Sequence, residues 1–208
     1  MRPENSPPGR KRPSFIEAAR RSQIIEAATQ TVAEFGYAHA TLARIAARAE
    51  ISKSVISYHF AGKDELLEQL VRQFFEDAWA HMEAQLATAT TAAGRIRTWI
   101  RAEVAYFGAH RTGFLAMAEI VGSHRRPDGS RPFAGAEEEE IDGLAEILDQ
   151  GQATGEFRPF DSRMVATIIT QSVEGLLGRW AMNEQTDLDA QSEALVEFVD
   201  HAIRAEHP

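Results

Sequence analysis

The chain of 208 residues contains no cysteine, which excludes disulfides, thiolate metal sites and cysteine nucleophiles. No apolar run approaches the roughly 18 residues of a membrane span, and the opening MRPENSPPGRKRP lacks the apolar core of a signal peptide. A cytoplasmic location and no membrane partner are expected. No stretch sustains the period-2 alternation of half-buried strands, so the chain is expected to be all-α. A Gly-rich phosphate loop, a nucleophile elbow and an HExxH pair are all missing. The seven histidines (39, 59, 81, 110, 124, 201 and 207) are scattered without ligand spacing. No catalytic residue, metal or cofactor is expected, and the chain does not read as an enzyme.

What is present is ordinary in bulk, with 44% hydrophobic and 25% charged residues, as in a soluble globular protein. The net charge of −9 is unevenly placed. Residues 1–63 carry ten Lys/Arg against five acids, a net of +5, and the remaining 145 carry twelve against twenty-six, a net of −14. A basic end on an acidic body suits a protein that touches phosphate with one end only.

The basic end contains TLARIAARAEISKSVISYHFAGK, from Thr41 to Lys63. Leu42, Ile45, Ala46 and Ala49 recur at helical spacing, with Thr41 placed as an N-cap. Glu50-Ile51-Ser52 breaks the pattern, and Ser52 can cap a second short helix running to about Phe60. That helix carries Lys53, Ser54, Ser57, Tyr58 and His59, side chains that suit DNA. Helix, short turn, helix, with polar groups on the second, is a helix-turn-helix arrangement. Lys53 lies near the N-terminus of the second helix, where side chains reach base edges, and donates well to guanine O6 and N7. Ser54, Val55 and Ser57 lie on or near its face, Val55 suited to a thymine methyl. Tyr58 and His59 offer donors to phosphate, and Arg44 and Arg48 lie on the exposed face of the first helix. For His59 the alternative is a satisfied surface histidine.

ARIAARAEISKSVISYHFAGKDELL resembles the DNA-binding signature of TetR-type transcriptional regulators. The matching positions are Thr41, Ile45, Ala46, Ser52, Lys53, His59, Phe60, Lys63, Leu66 and Leu67. Glu50 and Ser54 stand where that family usually has Gly, and Ser57 where it often has Tyr. The likeness covers roughly residues 15–70. It implies that Thr41, His59 and Lys63 clamp phosphate. It further implies a homodimer on a near-palindromic double-stranded operator, and a small-molecule effector that releases it. Repression is the family's usual sign.

Along the chain, residues 1–13, with four prolines and Arg10-Lys11-Arg12, read as a disordered basic arm or a solvated tail. Residues 14–63 form the helix-turn-helix domain, continuing into a long helix over 64–87; residues 88–208 form a larger helical effector-binding and dimerisation domain. In the first helix, Ile25, Ala28, Val32 and Phe35 make a stripe expected to pack on Leu42, Ile45, Ile56 and Phe60, with Gly36 as the stop. Arg20 and Arg21 are either phosphate contacts or a solvated face. Residues 111–123 are apolar nearly all round, residues 124–136 read as a loop, and Glu137 to Glu140 open a helix with acids at its positive end.

Trp99, Glu103, Tyr106 and His110 share a mixed aromatic and polar face, followed by Phe114 and Met117, with Gln171 in a later apolar stripe. Apolar walls with a few polar groups suit a small-molecule pocket, and a carboxylate such as Glu103 or Glu119 left inside would favour a cationic ligand. The same spacing also suits plain core. The last two helices carry Val165, Ile168, Ser172, Leu176 and Trp180, then Leu195, Phe198 and Val199. The family resemblance implies that these form a four-helix dimer interface; the residues alone equally allow a monomeric bundle core. A rival reading is an all-helical ligand-binding or scaffold protein with a vestigial helix-turn-helix.

Overall fold

The computed structural model describes residues 15–183 and 185–205, and the expected basic arm at 1–13 lies outside them. Among the described residues there are nine helices: α1 Phe15–His39, α2 Leu42–Arg48, α3 Lys53–His59, α4 Lys63–Leu86, α5 Ala92–Ala109, α6 Arg111–Ser123, α7 Ala136–Ala153, α8 Ser162–Met182 and α9 Leu188–Ile203. The one β feature among them is an isolated antiparallel bridge between Phe157 and Arg204. Among the described residues no helix is long and apolar enough to cross a membrane.

Helix boundaries follow local chemistry. The Thr41, Thr91, Asp161 and Asp187 side chains each accept a backbone N–H of the helix they open, which satisfies one of its orphan donors. The helical stretch of α1 is interrupted at Gly36, whose φ of 75° breaks the ladder before His39, a conformation that suits glycine. Residues 124–135 form the loop between α6 and α7.

The α1 stripe keeps Ala28 and Val32 from the sequence reading but turns toward Ile24, Ala27 and Thr31. Ile24, Ala27, Ala28, Thr31 and Val32 are buried, while Phe35 is 40% exposed. Its ring lies under the Arg44 guanidinium at 4.8 Å and near that of Arg48 at 6.0 Å. Phe35 thus meets the cationic side of α2 rather than its apolar stripe.

The buried face of α1 packs most extensively on α6, and α4 bridges α1, α5 and α6. Buried apolar residues from α1 through α9 form one continuous cluster. The 24-residue α4 spans roughly 36 Å at about 1.5 Å per residue. It therefore belongs to both ends of the molecule.

Candidate functional site

The turn between α2 and α3 is built like a Schellman cap. The Ile51 N–H donates to Ala46 O at 3.0 Å and the Glu50 N–H to Ala47 O at 3.2 Å, which is the paired pattern that ends a helix on a left-handed residue. That residue is Glu50, with φ 54°, the one non-glycine described at positive φ. Gln23 Nε2 donates to the next carbonyl, Ala49 O, at 2.9 Å. Ser52 occupies the N-cap of α3 but makes no capping bond. Its hydroxyl instead pairs with that of Ser54 at 2.8 Å, so the expected Ser52 cap is corrected.

Ile56 and Phe60 anchor α3 to the core, and the rest of the helix is open. Lys53, Ser54, Ser57 and Tyr58 are exposed, Val55 and His59 half-buried. Tyr58 is 76% exposed and meets His59 edge to face, with centroids 5.0 Å apart. Ser57 Oγ donates to Lys53 O at 3.2 Å, and the Lys53 ammonium makes no ion pair or hydrogen bond among the described residues. Thr41 lies exposed at the start of α2 with its hydroxyl accepting the Arg44 N–H at 3.3 Å. Arg44 is exposed too, tethered by donation to His39 O at 3.0 Å. These side chains form one polar face centred on the first turn of α3.

Several cations expected at phosphate are occupied inside the protein. Lys63 Nζ donates to Tyr37 O at 2.6 Å and lies 4.4 Å from the Tyr37 ring centroid. Desolvation holds its pKa below the usual lysine value, against a smaller upward pull from Asp64. Lys63 thus fixes the start of α4 to the end of α1. Arg21 donates to the His59 carbonyl and stacks over Phe60 at 4.2 Å, so it closes the C-terminus of α3. Arg48 pairs with Glu34, and Arg20 bonds Gln23 at 2.6 Å.

A buried polar cluster that sequence reading missed joins this end to the body. The His124 side chain is fully buried after α6, with Nδ1 2.9 Å from the Tyr37 hydroxyl and Nε2 3.3 Å from Glu68 Oε1. Arg126 grips Glu68 with two bonds, at 2.9 and 2.7 Å, and Arg72 adds a third at 3.3 Å. Those bonds, Arg126 foremost, hold the Glu68 pKa down to about 2. Its members stand 56 and 87 residues apart along the chain, a separation that no spacing rule detects.

The residues expected to line an effector pocket divide. Trp99, Glu103, Tyr106, Phe114 and Met117 are buried. Phe74, Tyr106, Phe107, Phe114 and Trp180 run as a chain of ring contacts at 5.6–6.2 Å, which is packed core. His110 is at the surface, stacked on Tyr106 at 4.2 Å. Gln171 is exposed rather than in an apolar stripe, and donates to Glu137 at 2.7 Å and Glu174 at 3.1 Å. Trp99 lines a surface groove of about 670 Å³ between the ends of α4, α5 and α7. A second groove, of about 730 Å³, runs between α5 and α9 past the Arg97–Asp200 and Arg101–Glu193 pairs.

The α8–α9 residues divide likewise. Leu176, Trp180 and Val199 are buried within the chain itself, because they face α5, α6 and the other terminal helix. Ile168 and Phe198 stand 52% and 67% exposed, beside Met164 at 61%; Val165, Ser172 and Leu195 lie at the boundary. A Cβ added at Gly175 or Gly178 would meet nothing within 4 Å, so these glycines ease no approach inside the chain.

Residues 24–70 match the model for bacterial regulatory proteins of the tetR family. The chain thus carries the DNA-binding segment of that family over residues 24–70. Over 62 residues it is 47% identical to the regulator BetI 1 of Chromohalobacter salexigens, covering 30% of this chain and 31% of that one. Over 86 residues it is 40% identical to BetI of Burkholderia thailandensis, covering 41% and 43%. The matched segments therefore span less than half of either relative. A crystal structure of a candidate TetR-family regulator from Rhodococcus sp. superposes at TM-score 0.77 with 25% identity, over 88% of this chain and 98% of that one. The fatty acid degradation regulator FadR of Bacillus halodurans has the same fold, at TM-score 0.77, 20% identity and coverage of 91% and 96%. Among the described residues no group of three or more His, Asp or Glu could hold a metal ion.

Proposed function

We propose that this chain is a ligand-responsive DNA-binding transcriptional regulator of the TetR family, released from its operator by a small molecule. The observation that carries the reading is the open polar face of α3, where Lys53 is left without a partner inside the protein. A buried or paired Lys53 would have favoured a vestigial motif. We place Lys53, Ser54, Val55 and Ser57 at base edges in the major groove, and Thr41, Arg44, Tyr58 and His59 toward phosphate. Ser52 sits beside Ser54 at the same groove, and Lys63 supports the interface from behind.

The working unit is a homodimer. One α3 reads too few base pairs alone, and two reach half-sites about one helical turn apart, roughly 34–36 Å or a little more. The exposed Met164, Ile168 and Phe198, with the bare backbone at Gly175 and Gly178, supply a self-complementary face on α8 and α9. The full length of α4 provides the rod through which a ligand alters head spacing.

Binding to duplex DNA, selected from a random-sequence pool and followed by fluorescence anisotropy, tests the reading. Affinity should fall steeply with salt, and Lys53→Ala should weaken the selected site by about 1–3 kcal/mol and relax its sequence preference. Absence of salt-dependent binding to any duplex would refute it.

A further inference from the structure

The acidic body carries an unusual interior. Glu103, in the middle of α5, is 6% exposed, and its Oε2 has no hydrogen-bond partner among the described residues. Facing it are Glu140 on α7 and, at the rim, Glu174 on α8, with Glu137 one turn further out. No ion pair among the described residues includes Glu103, Glu140 or Glu174. The polar groups that do approach are Thr170, whose hydroxyl lies 3.5 Å from Glu140 Oε1, Gln171 on Glu174, and Trp99. The Trp99 indole N–H points toward both inner carboxyls without a hydrogen bond of normal geometry, although the ring is 2% exposed. Two buried polar groups of different chemistry are thus left unsatisfied at one place, and buried polar atoms are ordinarily paired.

A surface groove lies beside that place, with the Trp99 ring as the wall between them. Trp99 also lines the groove of about 670 Å³, where Trp79, 48% exposed, meets it edge to face at 5.6 Å. Glu83 and Glu146 line the same groove, and its one described cation, Arg95, is engaged with Gln150 at 2.8 Å. Indole rings with carboxylates behind them attract cations through both the ring quadrupole and charge. A bare metal ion does not suit the cluster, since no three of its carboxyls converge at ligand distance. A larger, diffuse positive charge needs no such convergence.

We propose that the Trp79–Trp99 groove and the Glu103–Glu140–Glu174 cluster behind it form the binding site for an organic cation, a quaternary or protonated amine bearing an apolar group. The apolar part lies against Trp79 and Trp99, and the positive charge rests at Glu103 and Glu140. Burial first, and then the neighbouring carboxylates, raises the pKa of Glu103 well above the usual range and that of Glu140 to about 7. A bound cation favours the ionised forms and releases protons. The site names the ligand class for the effector proposed above, and to that extent rests on the regulator reading.

The test uses the full chain with benzyltrimethylammonium as probe, benzyl alcohol and benzoate as neutral and anionic counterparts, and tryptophan fluorescence with calorimetry as readouts. The cation should bind, and about tenfold more tightly at about pH 8 than at about pH 6 as the acids ionise. The neutral and anionic probes should not. Glu103→Gln should abolish most of the affinity without lowering the melting temperature, and Trp79→Ala, at the groove mouth, should weaken binding while leaving the interior intact. No cation binding, equal binding of benzyl alcohol, or full affinity in Glu103→Gln would each overturn the proposal. Duplex-DNA binding on the same samples separates the two claims. DNA binding that persists without any cation response sinks this inference alone, whereas cation binding without DNA binding sinks the regulator.

Discussion

Replacing Glu140 by Gln should make the protein more stable above neutral pH, although it removes a hydrogen-bonding carboxylate. Burial raises the Glu140 pKa from 4.5 to about 7, with Glu174 and then Glu137 adding to the effect, against the opposing pull of the Thr170 hydroxyl and the nearby Trp99 indole N–H. A carboxyl whose folded-state pKa is raised favours folding while protonated. Its contribution is complete below about pH 4.5, is lost as pH rises through about 7, and is constant above that. At about 1.4 kcal/mol per pH unit, the interval from 4.5 to about 7 gives about 3 kcal/mol of stability lost on the alkaline side.

Gln is neutral throughout, so Glu140→Gln should escape that loss while keeping a partner for the Thr170 hydroxyl. For a domain of this size about 1 kcal/mol corresponds to about 2–4 °C in melting temperature, so the variant should melt about 6–12 °C higher near pH 8. Near pH 5 the two proteins should melt within about 2 °C of each other. Thermal unfolding by circular dichroism across this range decides it. Parallel profiles for the two proteins, or a variant no more stable than the wild type at about pH 8, would refute the reasoning. A bound organic cation should shrink the difference, because it lowers the cost of ionising the cluster in the wild type alone.

Three further perturbations follow from particular contacts. Glu50→Gly removes a Cβ from the left-handed position at φ 54° and should raise stability in urea by about 1 kcal/mol. Glu68→Gln should act in the opposite direction to Glu140→Gln: Arg126 holds the Glu68 pKa at about 2, so its contribution is present above about pH 4.5 and lost as pH falls toward 2. The variant should be about 1–2 kcal/mol less stable near neutrality, the partner arginine being partly solvated, with a flatter acid limb. Ile168→Asp places a charge on the exposed α8 face and should convert a dimer to a folded monomer in sedimentation equilibrium, with unchanged helical content.

The elements were legible because their signals are local. Thr41, Asp161 and the 3.6-residue stripes depend on neighbours within one or two turns, so helix ends fall within a few residues of the sequence reading. The helix-turn-helix was legible for the same reason, down to the awkward Glu50, which does take the left-handed turn that glycine would ease. Side-chain commitments were not. Lys63 and Arg21 look like phosphate ligands in a list of cations, and only the packing of α4 and α3 against α1 shows them bonded to Tyr37 O and His59 O. Trp180 and Phe198 look alike as apolar stripe positions; one is 7% and the other 67% exposed. Facing helices make that difference, and no periodicity carries it.

His124 shows why the missed cluster matters to the proposed mechanism. An effector at Trp99 and Glu103 would act on α5, which packs against α4 through Phe74 on Tyr106 and Phe107. Two turns nearer the start of α4, Glu68 meets His124 and Arg126, and His124 meets Tyr37, whose carbonyl receives Lys63. The α3 helix is held to α1 by Arg21. The links from the acid cluster to the reading helix are therefore ring contacts, side-chain hydrogen bonds and side chains bonded to backbone carbonyls. Packed contacts of this kind repack between discrete arrangements rather than stretching. A ligand alters DNA affinity only by its differential affinity for those arrangements, typically about 1–3 kcal/mol. If this route carries that difference, His124→Ala should leave cation binding and DNA binding each measurable on its own while uncoupling them, so that the cation no longer changes DNA affinity. Coupling that survives intact in His124→Ala would show that the signal travels through α1 and α6 instead, whose contact is the most extensive between any two helices.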